Sequence, residues 1–167
     1  MITPKQRFKS RLTIVERIIE VKAANHDQDG DLYIWKWLQG LLLRYNSDGM
    51  SSDDTDTDST GTIYRVKVLV WRRNVDKYIR LIDDERKLSA DIFSGSGANS
   101  TRRIRSPENP KSSRPPPHEL PTTLFDPDWL EDFDDNYRQV VLNVSKEDFH
   151  WIEFKAEELN DAGVRVG

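Results

Sequence analysis

The spacing of apolar residues predicts two helices within residues 1–45. Thr3, Pro4 and Gln6 have the pattern of a capped helix start, and a basic amphipathic helix to about Ala24 should follow. Its apolar positions are Phe8, Leu12, Val15 and Ile19. After a polar turn, Asp31 is placed to cap a second helix. The apolar face of that helix holds Ile34, Leu38, Leu41 and Tyr45, with Trp35 and Leu42 beside it. We expect these helices to form a hairpin.

The period of the apolar pattern changes to two after Thr62, which predicts a β-strand. One side of this strand would carry Tyr64, Val66, Val68 and Val70. A lone strand is not stable, and residues 140–144 and 164–166 are the candidate partners. Asn74 is placed to cap a third helix. The apolar face of this helix would consist of Val75, Tyr78, Ile79 and Ile82.

Two further helices are expected near the C-terminus. Asp126 and Pro127 open the first, which would contain Trp129, Leu130 and Phe133. Ser145 and Asp148 have the spacing of a capping box for the second. Its apolar stripe would be Phe149, Ile152, Ala156 and Leu159, and Gly163 would end it.

Two segments lack helical or strand periodicity. Residues 46–61 are acidic and nearly free of apolar side chains, so we expect a disordered or mobile loop. Residues 94–121 hold six of the eight prolines and resemble a linker. The fold class is therefore mainly α with one or two short strands, an irregular α+β arrangement with long loop or disordered segments. The expected organisation is a helical hairpin (1–45), an acidic Ser/Thr-rich loop (46–61), a strand–helix unit (62–93), a basic Pro-rich linker (94–121) and an acidic helical C-terminal segment (122–167).

Composition narrows the classes of function. The 167 residues are 36% hydrophobic and 32% charged, and there is no cysteine. This excludes disulfides, thiolate metal sites and cysteine nucleophiles. The first residues lack the apolar core of a secretory signal, and charged residues interrupt the longest apolar stretches. We expect an intracellular protein, nuclear or cytoplasmic, that has no membrane partner.

The acidic segment offers two candidate phosphorylation sites. Ser51 and Thr55 each have an aspartate three residues later, which suits an acid-directed kinase. The alternative is a solvated acidic loop without modification. A calcium site at Asp54, Asp56 and Asp58 is disfavoured, because the glycine and the bidentate glutamate of an EF-hand loop are missing.

The basic residues on both sides of the third predicted helix form a candidate nucleic-acid patch. The patch consists of Arg65, Lys67, Arg72, Arg73, Arg102, Arg103 and Arg105. For the strand, the favoured explanation is an amphipathic core strand with Arg65 and Lys67 in water, and an extended soluble linker is the alternative for the Arg-rich stretch. That stretch also resembles a nuclear-import signal. Ser106 lies three residues after Arg103 and before Pro107, so it is a third candidate phosphosite.

Catalytic and cofactor chemistry has little support in the sequence. The three histidines are far apart, and the carboxylates cluster in polar runs where little would shift their pKa values. We find no phosphate-binding or dinucleotide-binding motif. The sequence therefore predicts a protein that is not an enzyme and that takes no cofactor.

Three motifs in a fixed order carry a resemblance to a known family. They are GMSSDDTD from Gly49, YRVKVLVWRR from Tyr64 and LPTTLFDPDW from Leu120, with an Arg-rich stretch between the second and the third. This order resembles an uncharacterised, lineage-expanded family of basidiomycete fungal proteins. The resemblance spans about residues 30–155 and implies no catalytic residues. The multicopy character of that family resembles that of proteins accompanying mobile elements.

Two functional hypotheses follow from the sequence. The first is a non-enzymatic interaction or regulatory protein whose charged segments control docking to a protein partner. The second is a nucleic-acid-associated protein linked to a mobile element, which uses the basic patch. The acidic C-terminal segment disfavours the second hypothesis, because its carboxylates would compete with phosphates for the same arginines.

Overall fold

The computed structural model describes residues 2–94, 102–152, 160–161 and 164–165. The helices are α1 (Pro4–Ala24), α2 (Leu32–Tyr45), α3 (Asp76–Ser94), α4 (Pro127–Glu131) and α5 (Asp135–Val140). The strands are β1 (Asp53–Asp58), β2 (Gly61–Val66), β3 (Arg102–Ile104), β4 (Asn160–Asp161) and β5 (Val164–Arg165). Short 3-10 turns occupy Ser47–Gly49 and Thr122–Leu124. Among the described residues the fold is mixed α+β, the class that the sequence predicted, although α5 was not expected.

The chain folds as two compact units that are interleaved along the sequence. The first, here called the sheet unit, consists of Met1–Arg7, Tyr45–Asn74 and Gly97–Phe149. The second, the helical unit, consists of Phe8–Arg44, Val75–Ser96 and His150–Gly167. The sequence predicted five consecutive segments instead. Each unit draws on three separate pieces of chain, which no change in local composition could indicate.

The core of the helical unit follows the predicted apolar spacing. Of the six apolar residues expected on α2, the five in this unit are buried, and so are the four expected on α3; the sixth, Tyr45, is buried in the sheet unit. Apolar residues spaced three and four positions apart lie on one face of a helix, and burial of that face stabilises the helix. The start of α1 also agrees with the predicted capping box. The backbone N–H of Gln6 donates to the Thr3 hydroxyl, and the backbone N–H of Thr3 donates to the Gln6 side-chain oxygen.

The buried face of α1 differs from the predicted apolar stripe. Arg7, Arg11 and Val15 are buried at four-residue spacing, whereas Phe8 and Leu12 are half-buried. Arg11 belongs to the helical unit, where its Nε and Nη2 atoms donate to the two carboxylate oxygens of Asp83 on α3, both at 2.9 Å. A buried guanidinium needs such a charged acceptor.

The predicted last helix is absent from residues 145–152. Side-chain contacts hold this stretch in an irregular conformation: within the helical unit, the indole of Trp37 donates to the His150 carbonyl at 2.9 Å. The ring of Trp151 meets Trp37 and Tyr78 edge-on, with centroids 5.1 and 5.4 Å apart. The rest of the predicted helix, residues 153–159, lies outside the described residues.

The sheet unit contains a three-stranded sheet in the order β1–β2–β3. β1 is antiparallel to β2, with Asp53 opposite Val66, and β3 is parallel to β2, with Arg103 beside Tyr64. The prediction that residues 46–61 are disordered is wrong, because β1 lies within them. The predicted partners were also wrong: Val140 ends α5, and Val164–Arg165 pairs with Asn160–Asp161.

Residues 67–72 leave the sheet and pair with the segment predicted to be a linker. The Val68 N–H donates to the Pro110 carbonyl at 2.9 Å, and its carbonyl accepts from the Ser112 N–H at 2.8 Å. In residues 63–71 the buried apolar side chains are Ile63, Val66, Leu69 and Trp71. The predicted period of two therefore failed, because regular pairing ends at Val66. The linker prediction is wrong for residues 102–121, which are tied to the sheet unit by these bonds.

Candidate functional site

Asp53 at the start of β1 lies at the centre of a buried ion-pair cluster. Its Oδ2 atom accepts from Arg7 Nη2 at 2.6 Å and from Arg103 Nε at 3.2 Å, and its Oδ1 accepts from Arg103 Nη2 at 2.9 Å. The side chain of Asp53 is 1% exposed, that of Arg7 4% and that of Arg103 19%. Two cations thus neutralise one buried carboxylate, which ties residue 7 and β3 to β1.

The other carboxylates of β1 form a ladder of ion pairs on the opposite face, since side chains alternate along a strand. Asp54 lies 3.7 Å from Lys67, Asp56 lies 2.9 Å from Arg65, and Asp58 pairs with Arg102. Hydrogen bonds from Arg65 and Arg102 lower the pKa values of Asp56 and Asp58, respectively. An acidic strand without apolar residues is thus held by cations that come from two other strands.

The turn before β1 is built around a glycine and two arginines. A Cβ atom on Gly49 would stand 2.4 Å from the Tyr45 Cβ, so this position has room only for glycine. The Gly49 carbonyl accepts from Arg72 Nη1 at 2.7 Å. Arg114 donates to the carbonyls of Met50 and Ser47 at 2.6 and 2.8 Å. These bonds satisfy carbonyls that lie outside any helix or strand ladder.

The three motifs that carry the resemblance meet in the sheet unit. Arg72, in the second motif, bonds to Gly49 in the first. The indole of Trp71 donates to the Arg114 carbonyl at 3.0 Å. The ring centroid of Phe125, in the third motif, lies 6.4 Å from that of Trp71. The Asp126 N–H donates to the Trp71 carbonyl at 2.8 Å. The order of the motifs along the sequence therefore corresponds to one packed region.

The predicted basic patch does not form a free cationic surface. Arg65, Lys67, Arg102 and Arg103 pair with carboxylates of β1. Arg72 and Arg73 donate to the carbonyls of Gly49 and Thr123, at 2.7 and 3.2 Å. Arg105 is half-buried after β3. The structure thus brings most of the predicted residues together, but around carboxylates and carbonyls of the same chain.

The three candidate phosphosites differ in accessibility. Ser51 is only 3% exposed, so the folded chain does not present it to a kinase. Thr55 is exposed on β1, an edge strand, and pairs with Tyr64. Ser106 is half-buried, and its hydroxyl accepts from the Glu108 N–H at 3.2 Å. Of these, Thr55 is the most accessible position.

A row of four aromatic rings runs from the interior of the sheet unit to its surface. The rings, here called the aromatic row, belong to Phe125, Trp129, Phe133 and Tyr137. Successive centroids are 5.9, 4.7 and 4.5 Å apart. Phe125 is buried, the next two are half-buried, and Tyr137 is 37% exposed. The constant four-residue spacing was visible in the sequence, but we expected only Trp129 and Phe133 to lie on one helix.

Two helix starts and one arginine hold the aromatic row in place. The Asp126 side chain accepts from the Trp129 N–H at 3.0 Å, and the Asp134 side chain accepts from the Tyr137 N–H at 2.8 Å. The helix start at Asp126 and Pro127 was predicted. Arg138 donates to the carbonyls of Leu130 and Phe133 at 2.8 and 3.0 Å. The turn between α4 and α5 is thereby fixed.

Six carboxylates border the aromatic row. They belong to Asp126, Asp128, Glu131, Asp132, Asp134 and Asp135. Five of them are exposed, and Asp126 is half-buried. Within the part of the chain that the structure describes, none of the six forms an ion pair. This acidic surface therefore differs from β1, whose carboxylates are neutralised.

Over residues 2–94, 102–152 and the two short strands, no three carboxylate or imidazole groups are arranged to hold a metal ion. None of the described helices is long and apolar enough to cross a membrane.

Comparison with known proteins gives a family and no relative of known activity. No curated protein and no solved structure matches the chain. The model of one family, the domain of unknown function DUF8263, matches residues 39–145. The match includes the turn before β1, the strands β1 to β3 and the aromatic row, and it covers more than half of the sequence. The chain therefore belongs to the DUF8263 family.

Proposed function

We propose that this protein is a non-enzymatic, intracellular interaction protein that docks to a protein partner through its acidic surface. The supporting observation is a contrast in the use of charge. The cations of β2 and β3 are paired with carboxylates of β1, whereas the six carboxylates beside the aromatic row form no ion pair within the described residues. Beside the aromatic row, the charge left for a partner is therefore negative.

The same contrast argues against the alternative, a nucleic-acid-associated protein linked to a mobile element. Binding to nucleic acid depends on cations that neutralise phosphates and release counterions. Arg65, Arg102 and Arg103 would have to leave carboxylates of their own chain to do so. The acidic surface would in addition repel phosphates. We also propose that the chain belongs with the lineage-expanded basidiomycete proteins, on the order and contacts of the three motifs.

The first experiment tests the sign of the charge that the protein recognises. The full chain is titrated into labelled single-stranded DNA, double-stranded DNA and RNA, and it is passed over heparin and polylysine resins at 50 mM salt. We expect no nucleic-acid binding, no retention on heparin and retention on polylysine. Binding to DNA or RNA at 150 mM salt, or passage through polylysine without delay, would contradict the proposal.

A pair of variants separates a local surface from net charge. Asp132→Asn with Asp135→Asn removes two carboxylates beside the aromatic row, whereas Asp54→Asn with Asp56→Asn removes two from β1. Both changes alter the net charge equally. We expect only the first pair to elute from polylysine at clearly lower salt. Equal elution of the two pairs would mean that net charge, and not this surface, determines retention.

A further inference from the structure

The exposed end of the aromatic row is an apolar surface that the described part of the chain leaves open. Tyr137 is 37% exposed. Three and four residues later, Val140 is 72% exposed and Val141 is 51% exposed. Aromatic rings and aliphatic side chains gain free energy when they leave water. Contiguous exposed apolar surface of this kind marks interaction sites.

Charge restricts what can cover this surface. The six carboxylates alternate with the rings along residues 126–137, and no lysine or arginine lies in that range. The next cation, Arg138, donates to the carbonyls of Leu130 and Phe133, so its guanidinium is engaged in the turn. An anionic or purely apolar occupant would leave these carboxylates without a counter-charge in a partly desolvated contact.

A guanidinium group meets both requirements of this surface. It is planar, stacks on aromatic faces and pairs with a carboxylate through two parallel hydrogen bonds. Lysine offers a compact charge that does not stack in this way. Trp129 and Phe133 each contact the ring before and the ring after them in the row, whereas Tyr137 contacts only Phe133 of the row and is 37% exposed. Asp134 and Asp135 lie three and two residues before Tyr137 in this acidic stretch.

We infer that the aromatic row is a docking site for an arginine-rich peptide segment of a partner protein. One guanidinium group of that segment stacks on Tyr137, the exposed outer ring of the row, and the others pair with the bordering carboxylates. This inference rests on the proposed function, because it names the partner class of the same acidic surface. The occupant differs from nucleic acid in charge and from a second copy of this chain in its basic character.

The test uses the full chain and three labelled twelve-residue peptides. The peptides have the same sequence except at a fixed set of positions. One carries arginine, one lysine, and one citrulline, which keeps the planar group and loses the charge. Fluorescence anisotropy at 50 and 150 mM salt gives the dissociation constants. We expect the arginine peptide to bind about two- to five-fold more tightly than the lysine peptide, and the citrulline peptide not to bind.

Variants of the rings test the stacking. Tyr137→Ala removes the most exposed ring of the row. It should raise the dissociation constant of the arginine peptide about two- to five-fold and reduce the preference for arginine over lysine. Trp129→Ala should act in the same direction, and circular dichroism checks that both variants are folded. Tyr33→Ala is the matched control, because it removes a tyrosine that is 58% exposed on α2. It should leave all three dissociation constants unchanged.

Several outcomes would overturn the inference. Equal affinity for arginine and lysine peptides, unaffected by Tyr137→Ala, would show a purely electrostatic surface. Dimerisation of the chain in sedimentation experiments, abolished by Tyr137→Ala, would show that a second copy is the occupant. Neither result would restore nucleic-acid binding, so the proposed function would stand. Binding to DNA or RNA at 150 mM salt would overturn the proposed function itself.

Discussion

Replacement of Asp53 by asparagine should destabilise the protein far more than the same change one residue later. Asp53→Asn keeps the shape of the side chain and removes the charge that faces two guanidinium groups. Each hydrogen bond to a charged group contributes about 1.5–3 kcal/mol. Arg103, whose side chain is 19% exposed, can regain water, but Arg7, at 4%, cannot. We therefore expect a loss of about 3–5 kcal/mol, the usual effect of breaking a buried ion pair.

Urea denaturation followed by tryptophan fluorescence measures this loss. With a slope of about 2 kcal/mol per M, the unfolding midpoint should fall by about 1.5–2.5 M. The control is Asp54→Asn, because Asp54 is 48% exposed and lies 3.7 Å from Lys67. That change should cost no more than about 1 kcal/mol, as is usual for exposed pairs. The cost at Asp53 should persist in 1 M salt, since buried pairs are little screened.

Two results would refute this reasoning. If Asp53→Asn and Asp54→Asn shift the midpoint equally, burial does not set the energy of the cluster. If 1 M salt removes the effect at Asp53, water reaches the cluster in solution, and the guanidinium of Arg7 is not held as the structure shows.

Three further predictions concern the sheet unit. Gly49→Ala should destabilise by about 1–3 kcal/mol or more in thermal unfolding, because its Cβ would stand 2.4 Å from the buried Tyr45 Cβ; an unchanged melting temperature would contradict this. Tyr45→Phe should cost about 0.5–1.5 kcal/mol in urea, since the Leu124 carbonyl loses the hydroxyl that donates to it but keeps the Arg73 N–H. The depressed pKa values of Asp56 and Asp58 contribute stability that is present above about pH 4, the unfolded range, and is lost as the pH falls further. Replacing both with asparagine should flatten the urea midpoint between pH 5 and 2, and an unchanged pH profile would show that the ion pairs are not formed in solution.

The first three helices and α4 were predictable from sequence because the signals that determine them are local and periodic. On α2, residues such as Ile34 and Leu38 recur at helical spacing, and the same residues are buried in the structure. The caps at Thr3 and Asp126 were equally predictable, since the acceptor and the donor lie three residues apart. In each case the residues that determine the structure are neighbours in the chain.

The sheet was not predictable in the same way. The strand partner of β1 follows directly in the chain, with Asp58 opposite Gly61, but three of the cations that pair with β1 are remote. β1 contains only aspartate and threonine, and composition assigns such a segment to disorder. Its stability comes from Arg7, Arg102 and Arg103, which are 44 to 50 residues away from their partners. The burial of Arg7 and Arg11 was missed for the same reason, although their spacing with Val15 was a visible signal.

The aromatic row is an intermediate case. Four aromatic residues at exact intervals of four predict one face, but the chain achieves this over two short helices and a turn fixed by Arg138. The bordering aspartates were visible as charge. What the sequence could not show was that these carboxylates stay without ion pairs in the described residues while those of β1 are neutralised.

The interleaving of the two units has a consequence for how the protein is made. On the ribosome, the sheet unit cannot be completed until Phe149 has emerged, because its last piece of chain ends there. α1 will have been synthesised long before, and Arg7 must wait for Asp53 to appear. A truncated chain limited to residues 39–145, the family match, would contain Asp53 and Arg103 and would lack Arg7. The family boundary thus leaves out one partner of the central cluster, and in that fragment the Asp53 carboxylate would keep its pair with Arg103 and lose the hydrogen bond from Arg7.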